Sequence, residues 1–301
     1  MNLNFPPNLD ISPSESSLQH SSSNAFSNES QQKAIQKYGI AGRVWEAAYL
    51  LNLYLNDSKL TFDPPFHNRG TIIEIGSGSG LVASCIARSL NPGTELLILT
   101  DLPEVCPLLE KNLAPISAEL REKAGTDMVL VRPLAWGNPQ HAFAIASELL
   151  RVRHLTHILC SDLVYSLELL APLLRTLIQL SSPPFVSPSR NPDLQIIMSY
   201  KIRSLSKETP FWAAFGLWFS FEPVLVREDA NSKWTRLGSE LEGPSFVFVA
   251  RRRTESFGWS VPDDDSDLLA GKGIVDGSDQ AKGDDTFENL LFMVLNGDDD
   301  V

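Results

Sequence analysis

The sequence of 301 residues is poor in features that would point to several common protein classes. It holds three cysteines, Cys85, Cys106 and Cys160, each in an apolar stretch and without paired spacing. That pattern argues against a disulfide framework and for reduced core residues of an intracellular protein. The five histidines (His20, His67, His141, His154 and His157) are scattered, so no metal site and no Ser-His-Asp arrangement is expected. No apolar run reaches the roughly 18 residues needed to cross a bilayer, and no membrane partner is expected. The N-terminus lacks a cationic start followed by an apolar stretch, so no signal peptide is expected. Basic clusters are also scarce. Arg251-Arg252-Arg253 stands alone after a predicted strand and reads as solvated, so no nucleic-acid partner is expected. No internal repeat is visible.

What is present is a hydrophobic content of 43%, enough for a sizeable core, and a net charge of -12. The charge is unevenly placed. Residues 255–301 carry thirteen acids against Lys272 and Lys282, a net of -11, which leaves the rest of the chain near -1. The acidity is therefore a C-terminal property.

The chain is organised around Thr71 to Asp101. An apolar run, Ile72, Ile73 and Ile75, is interrupted by Glu74 and followed by Gly76-Ser77-Gly78-Ser79-Gly80. Leu81, Cys85 and Leu90 then mark one face of a helix, and Glu95 to Thr100 reads as a second buried strand closed by Asp101. This is a βαβ nucleotide-binding pattern. Glycines let the backbone approach a ligand closely, and the turn lies at the carboxyl end of a strand, where open α/β sheets bind ligands. Asp101, about 25 residues past the first glycine, is placed to accept from both hydroxyls of a ribose. The glycine register is G-x-G-x-G, not the G-x-G-x-x-G of dinucleotide sites, which disfavours a nicotinamide-dependent oxidoreductase. Glu74, two residues before the first glycine, suits the cationic amino-acid end of a ligand.

In chain order, residues 1–35 are rich in Ser, Asn, Gln and Pro and are expected to be a disordered tail. Residues 36–254 form the predicted domain, and residues 255–301 an acidic, mostly disordered tail. Helix is predicted over 42–56, from Pro103 through Leu113, and over 140–151, 167–180 and 207–219. Strands are predicted at 128–132, 157–160 and 195–200, with 221–227 and 245–250 as a closing antiparallel pair. A proline-rich loop covers 181–193. The order implies an α/β fold, a Rossmann-like seven-stranded mainly parallel sheet with a C-terminal antiparallel hairpin and helices on both faces. Phe287 to Leu295 is an apolar island in the acidic tail. It is either a short helix that docks on this body or a partner, or a segment without fixed structure.

Four further stretches carry a resemblance: Val44-Trp45-Glu46-Ala47-Ala48, Leu134-Ala135-Trp136-Gly137, Asp162-Leu163-Val164-Tyr165 and Tyr200-Lys201-Ile202-Arg203. With the glycine loop and Thr100-Asp101, they resemble the seven-β-strand protein-lysine methyltransferases of family 16, from about Gly39 to Arg252. The branch it is most similar to methylates chaperones, a p97-type ATPase and translation elongation factors. The D-x-x-Y after the fourth strand is that group's hallmark. Ser77 and Ser79 depart from the commoner loop residues, and the proline-rich loop and acidic tail are additions.

The resemblance implies S-adenosyl-L-methionine as cofactor and a lysine of a protein as acceptor. Trp45, Glu74, Gly76, Ser77, Gly78, Asp101, Trp136 and Ser161 would bind the cofactor. Asp101 would hold its ribose, and Trp136 would lie against its adenine. Asp162 and Tyr165 would face the target lysine as the catalytic pair. Each has a structural alternative: Trp45 as a core aromatic, Trp136 as a sheet-edge cap, Asp162 as a helix N-cap, and Tyr165 as packing. Tyr200 and Arg203 read equally well as structural. A monomer in the cytoplasm is expected, with the nucleus open as a second location. Two other functions are open: a small-molecule N-methyltransferase, and a cofactor-binding interaction module without catalysis.

Overall fold

A computed structural model describes residues 4–5, 10–14, 24–149, 153–187, 194–241, 243–274 and 280–295. After a 3-10 turn at Asn24–Phe26 come α1 (Asn28–Tyr38), a 3-10 turn Gly39–Gly42, α2 (Glu46–Asn56) and β1 (Thr61–Asp63). The central units follow: β2 (Thr71–Ile75), α3 (Leu81–Ala87), β3 (Leu96–Asp101), α4 (Cys106–Ala124), β4 (Val129–Pro133) and α5 (Pro139–Leu149). Then come β5 (Leu155–Ser161), α6 (Leu167–Leu180), β6 (Gln195–Lys201) and α7 (Leu205–Trp218). The last described elements are β7 (Phe219–Pro223), β8 (Leu225–Arg227), β9 (Thr235–Arg236), β10 (Ser245–Arg252), α8 (Asp265–Leu269) and α9 (Thr286–Leu295).

Seven strands form one sheet in the order β4-β3-β2-β5-β6-β10-β7. The β2–β3, β2–β5, β3–β4 and β5–β6 pairs are parallel, and β10 runs antiparallel to both β6 and β7. All five residues of β2 and all six of β3 are buried, as expected for strands covered on both faces. Side chains alternate across the sheet. Ile73 and Ile75 pack with α5, α6 and α7, whereas Ile72 packs with α2, α3 and α4. The predicted fold class is present.

Three differences matter. The strand predicted over 221–227 is two strands. β7 stops at Pro223, which has no N–H to donate to a ladder, and β8 crosses to a small sheet ordered β1-β8-β9. The ordered body also extends past residues 36–254: α1 begins at Asn28, and residues 254–274 and 280–295 are seated on the helices. The third is the apolar island. It forms α9, and Phe287 is 1% exposed, stacked on Trp212 with ring centroids 4.9 Å apart. Thus it docks on this body. The docking is tight: a methyl at Gly216 of α7 would lie 2.3 Å from Asp284 Oδ1.

The arginine cluster has a role in the same contact. Arg253 donates to the Gly216 carbonyl (2.7 Å) and pairs with Asp284 (3.1 Å). Arg252 lies over the Trp218 ring and donates to the Ile178 carbonyl. Burial lowers its pKa to about 10. Two of the three arginines expected to be solvated are therefore structural anchors. The ends of the predicted helix 140–151 and loop 181–193 fall at 150–151 and 188–193, outside the described residues, as does much of the predicted N-terminal tail.

Candidate active site

The carboxyl ends of β2, β3, β5 and β6 open onto a cavity of about 670 Å3. All ten residues named from the sequence line it: Trp45, Glu74, Gly76, Ser77, Gly78, Asp101, Trp136, Ser161, Asp162 and Tyr165. Parallel strands aim their carboxyl ends the same way, so motifs separated in the sequence meet at one rim.

The first half of the cavity is built by β2, the glycine loop and β3. Gly76 has φ of 59°, in the left-handed region. A methyl there would come within 2.8 Å of Leu163 and 2.9 Å of the Trp136 ring, so glycine is required both for its conformation and for its neighbours. The loop is tied back to β3: the Ser77 N–H donates to the Thr100 carbonyl (2.9 Å), and the Thr100 hydroxyl donates to the Glu74 carbonyl (2.9 Å). The Asp101 carboxylate accepts from the N–H groups of Gly78 (2.8 Å) and Leu102 (2.7 Å). Burial raises its pKa to about 6, against the pull of those two bonds.

Glu74 is buried at the base of the loop, and its Oε2 has no hydrogen-bond partner among the described residues. Burial raises its pKa to about 8. An orphaned buried carboxyl oxygen, a glycine cradle and a second carboxylate at the next strand end fit a ligand with an ammonium group and a ribose. They fit S-adenosylmethionine. Glu74 would meet its ammonium, Asp101 its hydroxyls, and the Trp136 indole its adenine.

The second half is built by the approach to α2 and the loops after β5 and β6. Trp45 precedes α2, and its indole N–H donates to the Ile40 carbonyl (3.1 Å). Arg43 and Arg203 both lie near its ring, their Cζ atoms 4.6 and 5.2 Å from the centroid. Tyr165 is 39% exposed at the rim. Asp162 has φ of 62°, an uncommon value for a residue with a side chain. Its N–H donates to the Ser199 carbonyl (2.8 Å), which seats the loop against β6.

The Asp162 side chain is 0% exposed. One carboxylate oxygen accepts from Arg203 Nη1 (2.5 Å) and the other from Nη2. Burial pushes this carboxyl up and the guanidinium pulls it down; the two-point contact is that of an ion pair. Asp162 thus lines the cavity, as expected, but already engaged by a cation. Glu46 stands 3.9 Å from Arg203 and pairs with Arg43.

Arg203 was readable from the sequence only as an equally balanced choice, and Arg43, Glu46 and Lys207, which line or adjoin the cavity, were not singled out as site residues. The signal lay in the topology: Asp162 and Arg203 follow neighbouring strands at the same end of the sheet. Asn4, in the predicted disordered tail, also lines the cavity, and its carbonyl accepts from the Ile40 N–H (2.9 Å). Among the described residues no cluster of His, Cys, Asp and Glu is arranged to hold a metal, and no helix is long and apolar enough to cross a membrane.

The strand order, with one reversed strand near the edge of an otherwise parallel sheet and a glycine loop after the inner strand β2, defines a class I methyltransferase fold. The profile of a family described as lysine methyltransferase matches residues 28–215, and the chain belongs to that family. It is 31% identical over 178 residues to the protein-lysine N-methyltransferase EFM6 of Saccharomyces cerevisiae, covering 55% of this chain and 65% of that one. It is 31% identical over 145 residues to the EEF1A lysine methyltransferase 3 of Xenopus tropicalis, covering 48% and 54%. The chain therefore spans just under two thirds of the one relative and about half of the other. Among solved structures, an O-methyltransferase from Bacillus cereus in complex with SAH is 13% identical with a TM-score of 0.40, covering 74% of this chain and 91% of that one.

Proposed function

We propose that the protein is an S-adenosylmethionine-dependent protein-lysine N-methyltransferase, and that its substrate is a translation elongation factor of the 1A type. Family membership and the two relatives support the lysine chemistry, and the second relative's name supports the substrate. The observation that carries the cofactor reading is Glu74 Oε2, buried without a partner beneath the glycine loop and beside Asp101.

When bound, the cofactor supplies a methyl group already activated on a sulfonium. The chain's own residues then have two tasks. One is positioning: Glu74, the glycine loop, Asp101 and Trp45 hold one reactant, and Tyr165 frames the approach of the other, so a bimolecular displacement becomes a local one. The second task is to receive the lysine as a free amine. With a pKa of about 10.4, only about one lysine in 2500 is neutral at pH 7, a deficit of roughly 4 to 5 kcal/mol. Enclosure in the cavity disfavours the ammonium form by desolvation, and a sulfonium charge nearby would disfavour it further. Tyr165, partly open at the rim, is placed to flank the methylene stem of an entering side chain.

The test is tritium transfer from labelled S-adenosylmethionine to purified elongation factor 1A, followed by mass spectrometry of its lysines. Labelled lysine is expected, and Asp101→Ala should abolish it through lost cofactor affinity. Binding of S-adenosylhomocysteine without transfer to any protein would favour the interaction-module reading. Transfer only to small amines would favour the metabolite reading.

A further inference from the structure

Four charged groups of the second half-cavity form a linked set. Arg43 pairs with Glu46, Arg203 pairs with Asp162, and Glu46 lies 3.9 Å from Arg203. Two cations balance two anions around the Trp45 ring. The Asp162 side chain is enclosed and both its oxygens are held, so it presents no bare carboxylate to the cavity.

We propose that Arg203 stays paired with Asp162 during turnover and is the positioning residue that keeps the acceptor pocket from trapping the substrate lysine as an ammonium ion. The proposal rests on the lysine-methyltransferase reading above. A bare carboxylate within about 4 to 6 Å of a lysine raises that lysine's pKa by roughly one to three units, and each unit removes tenfold of the neutral amine. A carboxylate already bound to a guanidinium exerts little of that pull. The alternative, in which Arg203 swings away and the lysine takes its place on Asp162, delivers the wrong species. Only a cation replaces a guanidinium on a buried carboxylate without leaving an uncompensated charge, and an ammonium has no lone pair to attack with.

The anchoring of Arg203 agrees with a fixed role. Its N–H donates to Glu208 (3.2 Å), a buried carboxylate on α7 that also accepts from the Tyr200 hydroxyl (2.5 Å). Other ionisable groups around the pair are Arg43 before α2 and Glu46 at its start, Asp101 after β3, Tyr165 after β5, Glu168 in α6, Lys201 at the end of β6 and Lys207 and Glu208 in α7. None of these makes the two-point contact that Arg203 makes.

The test is the pH profile of methyl transfer to elongation factor 1A, from pH 6 to 10, at saturating cofactor. In Arg203→Gln the incoming lysine becomes the counter-cation of Asp162. The midpoint of the rise in kcat should move up by one unit or more, a loss of about tenfold or more at pH 7, with recovery to within about threefold at the high-pH plateau. Arg203→Lys should keep the midpoint within about half a unit. The double variant Asp162→Asn with Arg203→Gln should return it towards the wild-type value. S-adenosylhomocysteine affinity by calorimetry should change less than about twofold in all three, which separates this effect from misfolding. Equal loss at every pH in Arg203→Gln, or faster turnover at pH 7, overturns the proposal, as does a double variant shifted as far as the single one. Wild-type protein that transfers no methyl to any lysine overturns the underlying reading with it.

Discussion

The two halves of the cavity treat charge in opposite ways. On the side of β2 and β3, two carboxyls are buried without a cation: Glu74 is raised to about 8 and Asp101 to about 6. On the side of β5 and β6, Glu46 and Asp162 are each paired with an arginine. The first half is incomplete until something brings positive charge and hydroxyl groups. In the second, the Asp162 carboxylate is already matched, and the wall offers shape and aromatic surface. The difference is the one expected for a site that must bind one reactant as a cation and accept the other as a neutral base. Burial is common to both halves; the presence of a guanidinium is what separates them.

That contrast can be broken most directly at Asp101. Asp101→Ala removes two expected charge-assisted hydrogen bonds to a ribose, at roughly 1.5 to 3 kcal/mol each. Calorimetry should show S-adenosylhomocysteine affinity lower by about a hundredfold or more; a loss below about threefold would deny the first half its role. Next in size is Phe287→Ala. Emptying this buried position should destabilise the fold by about 3 to 5 kcal/mol, a fall in melting temperature of roughly 6 to 20 °C. Its ring lies 6.0 Å from Tyr200, whose hydroxyl bonds Glu208, so the damage should reach the second half first. The kcat/KM of methylation should fall by about tenfold while cofactor affinity holds within about twofold.

A smaller effect is expected at Glu74. Glu74→Gln should weaken S-adenosylmethionine binding about tenfold at pH 8.5 and less at pH 6.5, since the wild-type carboxyl is protonated there. The smallest signal is a proton count. Glu74 has its pKa raised from 4.5 to about 8, so the free protein loses stability as pH rises from about 4.5 to about 8, while the unfolded chain has already given up its proton. A bound ammonium lowers that pKa. Calorimetry at pH 7 in buffers of different ionisation enthalpy should therefore show close to one proton released per cofactor bound. No release would mean that Glu74 does not face the ammonium.

Much of the first half was legible in the sequence because it is nearly contiguous. Glu74, the glycines and Asp101 fall within one βαβ unit, whose geometry is set by short-range rules. Trp136 and Asp162-Tyr165 were legible through the family resemblance, and the parallel topology brought them to the same rim. The pair that most changes the chemistry was not. Asp162 and Arg203 are 41 residues apart, and nothing local distinguishes an aspartate that caps a helix from one gripped by an arginine just past the neighbouring strand. The acidic C-terminal stretch misled for a related reason. Its composition speaks for solvation, yet Phe287 finds a pocket among Tyr200, Trp212, Phe246 and Phe248, and that pocket exists only once α7 and β10 are packed.

The sequence by itself determined the sheet, the glycine turn and the residues available to the cavity, because strand burial, turn chemistry and motif spacing act over a few residues at a time. Tertiary structure alone decided which of those charges are bare and which are matched, and that the last helix belongs to the body. Those outcomes depend on distances across the sheet, where burial multiplies the cost of every unpaired charge and no local pattern records the partner.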